Sequence, residues 1–358
     1  MEGVAATGAD APRVALGGAR ALGSVTGLAG AHSFSVHARL IARLPEKANR
    51  LVEYDPATAQ CTIARTHYRY FDMGRVQMTI SEMRAGIQKL IDLMAPWIEK
   101  ISVIGWREAD GAFPLIVRAI LRRQHEFLSA VVDITGGNRG YVAVTLLRPA
   151  CEELIWLKYL KKLGVAKANE LLQAKCAVEI GDILKAQSDY VGPAIMEQLG
   201  FPPRYVEEGL NGRETAKKKL RLLANELNWP PRHRDALPSV FTLARFTDTV
   251  PEYNFLYYGT SRFVHFSVIE LLRRAWGKPG SISISSEHFL EYWQRFSLYW
   301  GKQLYLDTLG VGVDCVGGEG PEIDDRIGLE IIETLRELKA MPILTREEME
   351  WSGELGGN

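Results

Sequence analysis

Apolar residues recur three and four positions apart over long stretches of this chain, and that spacing constrains its fold more than any other feature. Met83, Ile87, Leu90, Ile91, Met94, Trp97 and Ile98 form one such series. It predicts an amphipathic helix over 81–104, with Ser81 as its cap. The same spacing predicts helices over 113–134, closed by Gly136-Gly137, then over 141–163 and 166–188. A further helix follows Ser286, its predicted cap. There Phe289, Tyr292, Trp293, Phe296, Trp300, Leu304 and Leu306 form an aromatic and aliphatic stripe, the mark of a core face or of a homo-oligomer interface. The segment 325–339 reads as a last helix before a frayed tail over 346–358.

Other segments break the pattern. Residues 1–45 are rich in Ala and Gly and read as a flexible leader; Arg13 and Arg20 interrupt any signal-peptide core. Residues 61–71, CTIARTHYRYF, alternate like a strand. Residues 189–251 are punctuated by Pro193, Pro202-Pro203, Pro230-Pro231 and Pro238. They read as a lobe inserted in a single helical domain over 46–345. TAKKKLRLLANELNW within the lobe is a basic amphipathic helix, whose usual meaning is a solvated face. GKPGSISI, 277–284, reads as a turn. The fold class is therefore all-α: a multi-helix bundle with strands confined to a short β-strand, hairpin or extended arm near the N-terminus.

Polar residues intrude on two of the apolar helices. In YYGTSRFVHFSVIELLRRAW, read as one helix from Tyr257 to Trp276, Tyr257, Ser261 and His265 lie four apart and share a face. In LLRPACEELIWLKYL, Arg148 and Glu152 lie four apart. An Arg placed before a Glu is the weaker order for a helical ion pair. Buried charges need partners, so the two groups are expected to converge in space. Pro149 between them starts that helix or kinks it. Arg118, Arg122 and His125 share a face of the 113–134 helix and read as a solvated side, or less often as a phosphate-reading stripe.

This pattern, R-x3-E in an apolar helix followed about a hundred residues later by Y-x3-S-x3-H, resembles an uncharacterised all-helical bacterial family of unknown function. The likeness spans roughly 80–310 and rests on Arg148, Glu152, Tyr257, Ser261 and His265. The chain is also distantly similar to the HEPN helical bundles, many of them ribonucleases of bacterial defence or toxin systems. Those carry an Arg followed by a His with four to six residues between, and this chain departs from that pattern. Here two residues separate Arg262 from His265, and six separate Arg118 from His125, with no polar residue directly after Arg118.

The bulk numbers narrow the partners. With 43 Lys and Arg against 43 Asp and Glu, the formal net charge is zero, so no global field draws in nucleic acid or an anionic membrane. Cys61, Cys151, Cys176 and Cys315 form no C-x2-C pair. They read as reduced thiols in a cytoplasmic protein, and no metal or cofactor is expected. No apolar run reaches membrane-spanning length. No phosphate-binding loop, zinc-protease, nucleophile-elbow, di-iron or dinucleotide motif occurs.

Three readings fit the cluster. In a metal-independent nuclease or nucleotide-directed enzyme, His265 is the acid–base group and Arg148 the phosphate fork. Glu152 then orients one of them, while Tyr257 and Ser261 complete the hydrogen bonds. In a non-enzymatic helical module, the same residues are a buried structural network and the aromatic stripe pairs two copies. In a nucleotide sensor, they line its pocket. Solvent access discriminates: a sealed cluster favours the module, a basic cleft the phosphate-directed readings.

Overall fold

In a computed structural model, residues 78–231, 237–278, 280–317, 320–321 and 341–344 are described. The leader, the 61–71 strand expectation and the 325–339 helix lie outside them.

The chain runs through helices α1 (Ile80–Ser102), α2 (Phe113–Ile134), α3 (Gly140–Thr145), α4 (Leu147–Leu163), α5 (Val165–Val191), α6 (Pro193–Gln198) and α7 (Pro203–Glu226). After these come α8 (Val240–Phe246), α9 (Val250–Glu252), a π-helical turn (Tyr253–Tyr257), α10 (Tyr258–Val264) and α11 (Val268–Leu272). Strands β1 (Ala275–Lys278) and β2 (Ser281–Ile284) precede α12 (Leu290–Cys315). The fold is mainly helical, as the periodicity requires.

The cap of α1 is Thr79, upstream of the expected Ser81. Its hydroxyl accepts from the Glu82 amide while Glu82 reaches back to the Thr79 amide, a reciprocal capping box. The predicted 141–163 helix is two helices. Pro149 removes the amide that would bond Thr145 and crowds that carbonyl, and the chain turns between α3 and α4 at Leu146.

Helix α12 runs through the middle, packed on α1, α2, α3 and α4. Its Trp293, Phe296, Leu304 and Leu306 are buried, and Tyr292 and Trp300 are packed against the core. The aromatic stripe therefore packs in the core, the first of its two expected roles. Closeness to α12 also sets Gly140: a Cβ there would lie 2.8 Å from Gln294 Cγ and 3.0 Å from the Leu290 carbonyl.

In the Pro-punctuated region α7 lies along α5. Gly181 and Gly209 face Arg213 and Leu184 across that contact, and Arg213 Nε donates to Asp182 at 2.5 Å. Trp229 ties the end of α7 to α4 through the Tyr159 hydroxyl at 2.8 Å. The expected solvated face of α2 is only partly so. Arg122 pairs with Glu99 and Glu126 at the surface, but His125 turns inward to Tyr305 Oη at 3.0 Å. Burial, followed by the Arg122 charge, lowers the pKa of His125.

The expected 277–284 turn is an antiparallel hairpin, with Ala275 paired to Ile284 and Gly277 to Ile282. Strand structure thus stands at residue 275, beyond the N-terminal region to which strands were expected to be confined. The Lys-Pro-Gly-Ser sequence carries the correct signal, a Pro-Gly turn. Gly280 has φ 85°, and Gly277 has φ 150° with room for no Cβ: one would fall 2.3 Å from the Ser281 carbonyl.

Candidate functional site

The tertiary fold brings Arg148 and Tyr257 together across 109 positions. Arg148 Nη2 donates to the Tyr257 hydroxyl at 3.1 Å, and the guanidinium carbon lies 4.9 Å from the Tyr257 ring centroid. Tyr253 stacks on Tyr257 at 5.0 Å. The π turn explains this pairing. The Tyr258 amide bonds the Tyr253 carbonyl five residues back, and this widening of the helix presents both phenols toward α4. Burial raises the pKa of Tyr253, while the Arg148 charge opposes the rise. Arg148 Nε is buried without a hydrogen-bond partner.

The other expected members stand apart from this pair. Glu152 is half-buried on α4, and no ion pair joins it to Arg148. The buried carboxylate of α4 is its neighbour Glu153, held by Gln124 at 2.9 Å and paired with Arg123. Ser261 donates to its own Tyr257 carbonyl at 2.6 Å, the back-bond that hydroxyls make one turn away inside helices.

His265 is where the expected long helix ends. Its backbone has φ −105° and ψ 164°, and it caps the C-terminus of α10. The stretch 257–276 is therefore a helix, a break, a short helix and a strand. No hydrogen bond or ion pair joins His265 to Arg148. His265 instead lines a cleft of about 170 Å³ between α3, α10, α11, the hairpin and the start of α12.

That cleft is basic. Arg262, Arg273, Arg274, His265 and His288 line it, with Ser267, Ser285 and Ser286; among the described residues Glu270 is its one carboxylate. Glu270 is paired with Arg273 at 2.6 Å, and Arg273 also donates to the Ile343 carbonyl at 2.9 Å and lies 4.7 Å from the Trp293 ring centroid. Arg274 lies 3.9 Å from the Tyr141 ring centroid. Its carbonyl accepts from the Ser285 amide at 2.9 Å, so the hairpin base fixes its place. Arg262 lies over the Tyr258 ring at 5.8 Å. Neither Arg262 nor Arg274 has a carboxylate partner among the described residues.

His288 is reached by an unusual backbone. Phe289 has φ 57° and ψ 19°, left-handed values uncommon for a side chain of this size. They turn the chain so that His288 faces back to β2. Its Nε2 lies 3.0 Å from the Ser283 hydroxyl and 3.2 Å from the Ser283 carbonyl. Ser286 caps nothing; Ser285 Oγ accepts from the Glu287 amide at 3.1 Å.

Sequence reasoning missed the cleft because its cations come from separate elements. Only their concentration over 262–288, three arginines and two histidines in a short span, signalled it. Among the described residues no group of three His, Cys, Asp or Glu side chains is placed to hold a metal ion. No helix there is long and apolar enough to cross a membrane.

Residues 115–281, from the first turn of α2 to the start of β2, match the model of the Family of unknown function (DUF5677). The expected likeness to a helical family of unknown function is met in this match, which contains Arg148, Glu152, Tyr257, Ser261 and His265. It lends no support to the HEPN affinity. No curated protein and no solved structure matches the chain.

Proposed function

We propose that this is a nucleotide-directed protein that binds a phosphate group in the cleft lined by His265. One observation supports this above all: among the described residues, three arginines and two histidines converge there around a single carboxylate, which Arg273 already neutralises. Arg262 and Arg274 supply the uncompensated charge. A guanidinium recognises phosphate oxygens with two parallel N–H donors. The stacking of Arg274 on Tyr141 holds that fork in place before a ligand arrives. Ser285 and Ser286 add hydroxyl donors. His265, solvent-exposed and at a helix end, is the acid–base group of the cleft. The Arg148–Tyr257 pair is a support behind it, bracing α10 against α4.

Titration with a fluorescent nucleoside phosphate, or with a short labelled oligonucleotide, tests this reading. Binding is expected to weaken with added salt, as phosphate contacts do. Arg274→Ala and Arg262→Ala are each expected to weaken it about tenfold or more while the circular dichroism spectrum stays helical. No binding, or binding that ignores both substitutions, overturns the reading.

A second reading, the helical interaction module, has its own observation. Val264, Phe266, Val268, Leu271, Leu272 and Ile284 are exposed along α10, α11 and β2, and an apolar patch of that kind marks contact surfaces. Light scattering over a range of concentrations, on the native chain and on Ile284→Ser, decides whether copies associate through it.

A further inference from the structure

We propose that the apolar face formed by α11 and β2 docks on an anionic phospholipid bilayer, with Arg262 at its edge holding lipid phosphates. The docking does not depend on a nucleotide in the cleft.

The stretch from Val264 to Leu272, VHFSVIELL, leaves its apolar side chains in solvent. Phe266 is 86 % exposed, and Leu271 and Leu272 are exposed after it. Local backbone explains this. The chain leaves α10 at His265 in an extended conformation, and α11 then closes only five residues. A helix of that length, roughly 8 Å, has little face to lay on the core, and none of its residues is buried. The hairpin extends the same surface. Ile284 pairs with Ala275, three residues past Leu272, so β2 stands at the end of α11. Ile282 and Ile284 alternate with serines and share one side of β2. Ile284 is 83 % exposed. Contiguous apolar surface of this kind marks a contact with a protein or a membrane.

The charge around the face selects the bilayer. Arg262 is exposed one helical turn before Phe266, and its guanidinium lies over the Tyr258 ring at 5.8 Å. Tyr258 is exposed as well. An aromatic ring and a guanidinium bordering hydrocarbon match the headgroup zone of a bilayer, where the ring sits at the interface and the fork meets phosphate oxygens. Glu270, the carboxylate of α11, is nearly buried against Arg273 at 2.6 Å, which leaves the outer side of α11 apolar. A second copy of the chain would bring the same arginines to the contact, and like charges oppose association. A bilayer instead brings phosphates beside hydrocarbon, in the order in which this face presents arginine beside apolar side chains. The formal net charge of the chain is zero, so the attraction is local to this edge. The contact lies at the surface of the bilayer, since among the described residues no helix is long and apolar enough to cross one. Phe266 and Leu271 also line the basic cleft, so docking would hold that cleft against the headgroups.

The test is sedimentation of the full chain with vesicles of phosphatidylcholine, alone or mixed with phosphatidylglycerol. The mixed vesicles are expected to carry the protein down, while binding to phosphatidylcholine alone is about tenfold or more weaker. Added salt should weaken the binding. Leu272→Ser and Ile284→Ser together, both outside the cleft, are expected to lower it about tenfold or more. That double variant should keep its helical circular dichroism spectrum and its affinity for a nucleoside phosphate. Leu272→Ala with Ile284→Ala repeats the test should the serine variant fail to fold. Arg262→Gln should weaken binding to the mixed vesicles about fivefold. No sedimentation with either vesicle overturns the proposal, as does equal binding to both kinds. Full binding by the double variant leaves charge alone and overturns it too. Self-association in light scattering that the double variant abolishes, without vesicle binding, assigns the face to a second copy and overturns it. A chain that binds a nucleoside phosphate but no vesicle loses the docking and keeps the nucleotide reading.

Discussion

Single residues show where charge inside the bundle is held at a cost. Lys302, on the core helix α12, is only 3 % exposed, with its ammonium 4.7 Å from the Tyr299 ring centroid. Burial pulls its pKa down to about 8. Asp307, further along the same helix, is pushed up to about 6 by burial, against the pull of Lys158 and a Gln303 hydrogen bond. No ion pair joins Lys302 to Asp307. For Lys302 the unfolded chain binds more protons between about 8 and the ordinary lysine value, so stability rises with pH through that interval. For Asp307 the folded chain binds more, so stability is greatest below the ordinary carboxylate value and falls as pH rises through about 6. Lys302→Met is expected to stabilise the protein by roughly 1–3 kcal/mol at pH 7 and to abolish the alkaline rise. Urea unfolding at pH 7 and pH 10 checks both. Tyr257→Phe should act oppositely, costing roughly 1–3 kcal/mol because Arg148 loses the phenol oxygen that accepts from it. Unchanged stability in that variant would show that the hydroxyl is not what holds the guanidinium.

At the scale of elements, short breaks matter more than long helices. The π turn brings Tyr253 and Tyr257 to α4, the end of α10 frees His265, and the hairpin fixes Arg274 and His288. Gly277 is the hairpin's weak point. With φ 150° and the Ser281 carbonyl 2.3 Å from where a methyl carbon would stand, an alanine is both strained and blocked. Gly277→Ala is therefore expected to leave the helical circular dichroism signal intact while nucleotide binding weakens about tenfold or more. Equal binding in the two proteins would separate the hairpin from the site.

For the whole molecule, α12 is the element that the others share. Phe296, fully buried, contacts aromatic rings of α12 and the π turn. Phe296→Ala is expected to cost roughly 3–5 kcal/mol. Gly140→Ala should cost about 1–3 kcal/mol by forcing α3 away from α12. Thermal melts of both variants test whether α12 is the common support. A melt unchanged by Gly140→Ala would mean that α3 can shift freely.

By itself the sequence determined the helices, because their spacing is a local property that survives without any knowledge of neighbours. Met83 to Ile98 and Phe113 to Ile134 were legible in this way. The tertiary structure alone decided their partners. Tyr257 reaches Arg148 through a π turn that no periodicity announces. Ser261 bonds its own helix, and Glu152 yields the buried position to Glu153. His265 leaves the helix altogether and joins Arg274 and His288, whose positions depend on a hairpin closed by Gly277 and Gly280. Local spacing specifies which face a residue occupies; what meets that face depends on how separate elements pack, and that information is distributed over the whole chain.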